Sequence, residues 1–127
     1  MSENAAIKIL IIDDHAVVRE GLKQIINNTH DMMVVGEAET GLEAIKLSRT
    51  VECRIMLLEI ALADRNGIEV LKQIKKESPH ISIIMFSSHR EDQYAVRALK
   101  SGASGYLNKQ SSMSQIVAAI KQVASGL

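Results

Sequence analysis

In the stretch Arg54-Ile-Met-Leu-Leu-Glu59, four aliphatic residues lead without a break to a carboxylate. A run this short and this apolar reads as a strand covered on both faces, as in a parallel sheet, because a strand with one wet face alternates apolar with polar residues. Four further runs share the character: Ile7–Ile12, Met32–Val35, Ile81–Phe86 and the weaker Gly105–Leu107. All but Met32–Val35 are followed directly by a polar or charged residue, and each is separated from the next by a helix-like segment.

The helix starts carry their own signal. Thr40-Gly-Leu-Glu43, Asn66-Gly-Ile-Glu69, Ser88-His-Arg-Glu91 and Ser112-Met-Ser-Gln115 each place a side-chain acceptor three residues before Glu or Gln. That is capping-box spacing, in which two side chains satisfy each other's free backbone N–H groups. Asp13 or Asp14 is expected to cap a first helix running to about Asn27. Apolar residues recur at helical spacing at Val18, Leu22, Ile25 and Ile26, at Ile68, Leu71 and Ile74, and at Ile116, Ile120 and Val123. Asn27-Asn28 and Pro79 fall between elements, where breakers belong. Five β-to-α alternations predict an α/β fold: a doubly wound five-stranded parallel sheet with right-handed crossovers in a three-layer sandwich.

Composition bounds the rest. The chain has 127 residues and zero formal net charge, so it reads as one domain, residues 1–127, without the basic surface of a nucleic-acid binder. Cys53 is alone, which excludes an internal disulfide and fits a reducing compartment. No apolar run approaches the ~20 residues of a membrane span, and the first residues lack the regions of a signal peptide. A soluble, cytoplasmic protein is expected. His15, His30, His80 and His89 keep no ligand spacing and read as surface or loop residues, the methionines as core filler. Gly102 and Gly105 are turn glycines, and no glycine-rich phosphate loop is present.

In an open parallel sheet the chemistry sits outside the carboxyl ends of the strands. There the chain places Asp13 and Asp14, Glu59, Ser87 and Ser88, and Lys109. Crowded carboxylates repel unless a cation bridges them, and Mg2+ is the natural candidate, since it takes one or two carboxylates, waters and phosphate oxygens. A lysine and a hydroxyl opposite the metal suit a phosphoryl group. Taken singly, each has an ordinary reading: a helix cap for an aspartate, a solvated loop lysine, a turn serine.

Ile9-Leu-Ile-Ile-Asp-Asp-His15, the run to Glu59, Ser87-Ser88 and Gly105-Tyr-Leu-Asn-Lys109 resemble the receiver domain of bacterial two-component response regulators. The match covers nearly the whole chain. Asp13-Asp-His-Ala-Val-Val-Arg-Glu-Gly-Leu22 and Ala98-Leu-Lys-Ser-Gly-Ala-Ser-Gly-Tyr-Leu107 are most similar to the NarL/FixJ (LuxR-type) subfamily, whose members carry a helix-turn-helix DNA-binding domain after the receiver. The resemblance implies a flavodoxin-like (CheY-like) sheet of order 2-1-3-4-5, and a receiver excised from such a regulator at Ala124-Ser-Gly-Leu127, with a stand-alone receiver as the alternative. It implies Mg2+ at Asp13, Asp14, Glu59 and the backbone carbonyl of Ala61, with Asp14 nearer the ion. Ser87 and Lys109 would bind phosphate oxygens, and Tyr106 would report the switch. A histidine kinase is the implied partner.

Three positions depart from the pattern. Glu59 stands at the phospho-acceptor aspartate, Leu62-Ala63 replaces Met-Pro, and Gln110 replaces the proline after the lysine, so no cis peptide is expected there. One extra methylene displaces the carboxylate by about 1.5 Å, and phosphoryl transfer depends on in-line positioning. The leading reading is a degenerate receiver whose Glu59 removes phosphotransfer and approaches Lys109, and whose site binds Mg2+ weakly or not at all without phosphate. The alternatives are a receiver phosphorylated on Glu59 and an acid-metal phosphohydrolase, the latter disfavoured because adjacent aspartates point apart. Tyr94, Arg97 and Lys100 with Gln115 and Lys121 suggest a weak, switchable homodimer.

Overall fold

Alternate residues of a strand face opposite sides of its sheet, so a strand buried on both faces is apolar at nearly every position. The structure, a computed structural model, describes residues 6–87 and 92–126. In chain order it contains β1 (Ile7–Ile12), α1 (Ala16–Asn27), β2 (Met32–Ala38), α2 (Gly41–Thr50), β3 (Ile55–Glu59), α3 (Gly67–Glu77), β4 (Ser82–Ser87), α4 (Asp92–Lys100), β5 (Gly105–Asn108) and α5 (Met113–Ala124). The five strands form one sheet in the order β2-β1-β3-β4-β5, and all neighbours pair in parallel. β1, β3 and β4 are therefore interior, which accounts for their unbroken apolar runs.

The two faces of the sheet build two cores. Leu10, Ile12, Met56, Leu58, Ile83 and Met85 pack against α2, α3 and α4 through residues such as Ile45, Leu71 and Ala98. Ile9, Ile11, Ile55, Leu57, Ile84 and Phe86 pack against α1 and α5 through Leu22, Ile26, Ile116 and Ile120. The expected three-layer sandwich is thus present, with two helices on one face and three on the other. Among the described residues no helix is long and apolar enough to cross a membrane, and no peptide bond is cis.

β2 continues past Val35 to Ala38, although Gly36 and Glu37 interrupt its apolar run, because both pair with β1 after a register shift between Ile9 and Leu10. β4 and β5 likewise extend onto the polar residues Ser87 and Asn108.

The capping expectations divide. Ser112 and Gln115 form the full reciprocal box on α5. At α2 the Thr40 hydroxyl accepts from Glu43 N–H at 3.1 Å, but Glu43 reaches back one residue further, to Glu39 N–H. At α3 Asn66 accepts from Ile68 N–H, and Glu69 pairs with Lys72 instead of closing a box. The neighbouring Gly67 N–H is turned to the Ile60 carbonyl across the loop at 2.6 Å. The first helix corrects the reading: its N-cap is His15, which makes no side-chain cap bond. Asp13 instead accepts from His15 N–H at 2.8 Å, a local turn that takes its carboxylate away from the helix. The box proposed at Ser88–Glu91 lies outside the described residues.

Candidate functional site

Strand parity sorts the residues at the carboxyl edge. Glu59 continues the row of Ile55 and Leu57, which faces α1 and α5. Asp13 stands one residue beyond β1 in the row of Ile9 and Ile11, and Lys109 one residue beyond β5 in the row of Leu107. These three side chains meet. Lys109 Nζ lies 2.8 Å from Asp13 Oδ2 and also contacts Glu59 Oε1. The remaining oxygen of Glu59 accepts from Ala61 N–H at 2.8 Å, so both of its carboxylate oxygens are engaged.

Burial makes this cluster unlike a surface ion pair. Asp13 and Glu59 are 1% and 2% exposed, and the Lys109 side chain 13%. Burial opposes the charge on Lys109, but the hydrogen bonds and fields of Asp13 and Glu59 outweigh it and hold the ammonium pKa above its usual value of 10.5. The arrangement is more enclosed than an open acidic pocket, and solvent approaches it past Asp14 and Lys109.

The acidic pair has divided roles. Asp13 Oδ1 accepts from His15 N–H, whereas its Oδ2 forms an ion pair with Lys109 but no directed hydrogen bond. His15 Nδ1 sits 3.0 Å from Asp13 Oδ1 and 3.1 Å from Asp14 Oδ1. One ring nitrogen has at most one proton to share between two carboxylates, and Asp14 Oδ1 is buried without a hydrogen-bond partner. An orphaned buried carboxylate oxygen beside a second carboxylate is the donor chemistry of a divalent-cation site. One ligand atom from each of Asp13, Asp14 and His15 falls within 4.8 Å of the others. Mg2+ fits the oxygens of Asp13 and Asp14, whereas Glu59 is already taken by Lys109 and Ala61.

The loop after β3 is held tightly. Gly67 N–H donates to Ile60 carbonyl at 2.6 Å, and Ala61 bridges to Asn66. A Cβ on Gly67 would stand 2.2 Å from the Glu59 carbonyl oxygen, so only glycine permits this approach.

Ser87 ends β4, fully buried, opposite Asn108 of β5, and its carbonyl accepts from Lys109 N–H at 2.8 Å. Tyr106 is half-buried and packs against the core shared with α2, α3 and α4. Ala61 is exposed. The structure thus brings Asp13, Glu59 and Lys109 into direct contact, sets Asp14 beside them, and seats Ser87 and Tyr106 on the two strands that carry the lysine's loop. Ser88 and His89 lie outside the described residues.

Sequence reasoning missed three neighbours. His15, read as a loop histidine, joins the two aspartates; its position directly after them was the available signal. Arg19 donates to the Asp13 carbonyl at 2.6 Å and to Glu37 at 2.8 Å. Asp64 accepts from Gly41 and Leu42 N–H. Neither of the last two contacts has a signature in local spacing.

Comparison with known proteins shows the family. Residues 9–121 match the family model described as response regulator receiver domain. The chain is 36% identical over 116 residues to the response regulator protein VraR of Staphylococcus saprophyticus, covering 91% of this chain and 56% of that protein. It is 36% identical over 126 residues to the nitrate/nitrite response regulator protein NarL of Escherichia coli, covering 99% of this chain and 58% of that protein. A LuxR-family two-component response regulator from Aurantimonas sp. SI85-9A1 superposes with a TM-score of 0.91 at 32% identity, covering 96% of this chain and 87% of that one. The chain spans little more than half the length of the curated relatives.

Proposed function

This chain belongs to the response regulator receiver domain family, and we propose that it is a receiver closed at its acceptor position, signalling by its conformation and contacts rather than by efficient phosphorylation of Glu59. One observation carries the reading. Lys109, the residue suited to hold a phosphoryl oxygen, contacts Glu59 Oε1, while Ala61 N–H takes Glu59 Oε2. The carboxylate that would attack is thereby bound by the groups that would receive the transferred phosphoryl group. Positioning and electrostatic stabilisation supply nearly all the catalysis in phosphoryl transfer, and both are diverted here.

Mg2+, when bound, would neutralise charge on the phosphoryl oxygens. Asp13, Asp14 and the Ala61 carbonyl would hold it, and without Glu59 its octahedral shell is poorly filled, so binding is weak. Glu59 supplies about one negative charge where a phosphoryl group supplies roughly 1.5 to 2, so it imitates phosphorylation incompletely. A histidine kinase or another signalling protein is the partner, and the output passes to a DNA-binding domain attached or associated, as in LuxR-type regulators. Exposed Val96 and Leu99 on α4, beside Arg97 and Lys100, fit a weak homodimer.

Beryllofluoride with Mg2+ tests the closed site. Titrated into the native chain and followed by NMR, it is expected to give no saturable shift at Lys109 or Ala61, whereas Glu59→Asp gives one. Tight, saturable binding to the native chain would refute the proposal.

A further inference from the structure

The β3–α3 loop is fastened from outside as well as from within. Asp64, near its tip, turns both carboxylate oxygens onto the start of α2: Oδ1 accepts from Gly41 N–H at 2.8 Å and Oδ2 from Leu42 N–H at 3.1 Å. The next amide, Glu43 N–H, is taken by Thr40. The first three free amides of α2 are thus divided between its own N-cap and a carboxylate more than twenty residues away. A helix N-terminus favours a negative charge, so the contact is charge-assisted. Burial alone would raise the Asp64 pKa, but the amides of Gly41 and Leu42 outweigh it and hold the carboxyl below its usual 3.8.

The packing interlocks as well. A Cβ on Gly41 would lie 2.6 Å from Arg65 Cγ and 2.7 Å from Val70 Cγ2. Glycine at the helix start therefore lets the loop and α3 close onto α2. From this anchor the loop runs back through Ala61, whose N–H holds Glu59.

The geometry points to Asp64 as a positioning residue: by clamping the β3–α3 loop to the N-terminus of α2, it fixes where Ala61 stands relative to Glu59 and the acidic pair. It supplies stiffness at a place where the sequence has Leu62-Ala63 and no proline to fix the backbone. Its consequence for Mg2+ rests on the receiver reading of the site; its consequence for the Ala61 amide does not.

Thr40 provides the control, because its hydroxyl caps the same helix at Glu43 N–H from within α2's own N-terminus. Asp64→Ala and Thr40→Ala both remove cap bonds from α2, and both are compared in the native chain by amide hydrogen exchange. Asp64→Ala is expected to accelerate exchange at Ala61 and Gly67 by roughly tenfold, as loss of a local anchor does, beyond any change in the most protected β3 amides. Thr40→Ala is expected to leave Ala61 and Gly67 unchanged by the same standard. If the two variants move Ala61 equally, or Asp64→Ala moves only the amides of α2, Asp64 is a helix cap and the proposal falls. A second arm uses Glu59→Asp, with and without Asp64→Ala, and measures labelling by acetyl phosphate against Mg2+ concentration. The added change is expected to raise the Mg2+ needed for half-maximal labelling several-fold, with most of the rate recovered at saturation. An unchanged Mg2+ dependence overturns the positioning role at the metal. Failure of Glu59→Asp to label at all counts against the receiver reading, and the exchange contrast still decides the role of Asp64.

Discussion

The two ends of the sheet carry the same kinds of charged groups under opposite conditions. At the amino end, Lys8 meets Glu52 at 3.3 Å with side chains 40% and 87% exposed, and Arg54 reaches the carbonyl of Ala124. At the carboxyl end, Lys109 serves two carboxylates that are almost wholly buried. An exposed pair gains little, because water and salt screen it and its side chains lose freedom. A buried cluster survives only if every charge is compensated, and removal of one member strands the others. Charge at the amino end is solubility; charge at the carboxyl end is a constraint the fold maintains at a cost.

That contrast can be broken most forcefully at Lys109. Lys109→Ala leaves Asp13 and Glu59 facing each other in a buried site, and a loss of about 3–5 kcal/mol is expected in urea unfolding. Lys8→Ala, the matching change at the other end, is expected to cost no more than about 0.5 kcal/mol. Equal losses at the two ends would erase the distinction.

Glu59→Gln is milder. The amide oxygen still accepts a hydrogen bond, and Lys109 keeps Asp13, so a loss of about 1–2 kcal/mol is expected. Because Glu59 and Lys109 touch, the two changes are coupled: Glu59→Gln with Lys109→Ala should cost less than the sum of the single losses by about 1–3 kcal/mol. Strict additivity in this cycle would show that the contact carries no energy.

Proton linkage sharpens the comparison with less effect. Lys109 has its folded pKa raised above 10.5. Its contribution is therefore complete below the unfolded value and is lost as pH rises through the higher folded value. Unfolding followed from pH 9 upward should show that loss in the native chain and not in a Lys109→Met variant. The surface pair of Arg49 and Glu77 runs the other way. Arg49, then Gln73, hydrogen-bond the Glu77 carboxylate and lower its pKa from 4.5 to about 2. Its contribution is present above 4.5 and fades as pH falls toward 2, and because the pair lies at the surface it should also shrink on adding salt.

Why some of this was legible in sequence and some was not follows from range. β1, β3 and β4 announce themselves because burial on both faces leaves no room for polar residues, and the carboxyl ends of the apolar runs place Asp13, Glu59 and Lys109 at one edge of the sheet. β2 was read short because Gly36 and Glu37 look like a break, whereas an outer strand tolerates both. Capping motifs predict acceptors well and reciprocity poorly: Ser112–Gln115 closes, but Glu69 turns to Lys72 and leaves the Asn66 box open. The cap expected from Asp13 or Asp14 is absent, because the partners of Asp13, Lys109 above all, lie far along the chain. Asp64 was invisible for the same reason.

The central claim is that Glu59 is held by Lys109 and Ala61 and so does not act as a phospho-acceptor. Incubation of the native chain and Glu59→Asp with acetyl phosphate and Mg2+, followed by intact mass measurement, tests it directly. The account predicts no phosphoryl adduct on the native chain and a partial adduct on Glu59→Asp, limited by the Leu62-Ala63 loop. Rapid stoichiometric phosphorylation of the native chain at Glu59 would contradict it.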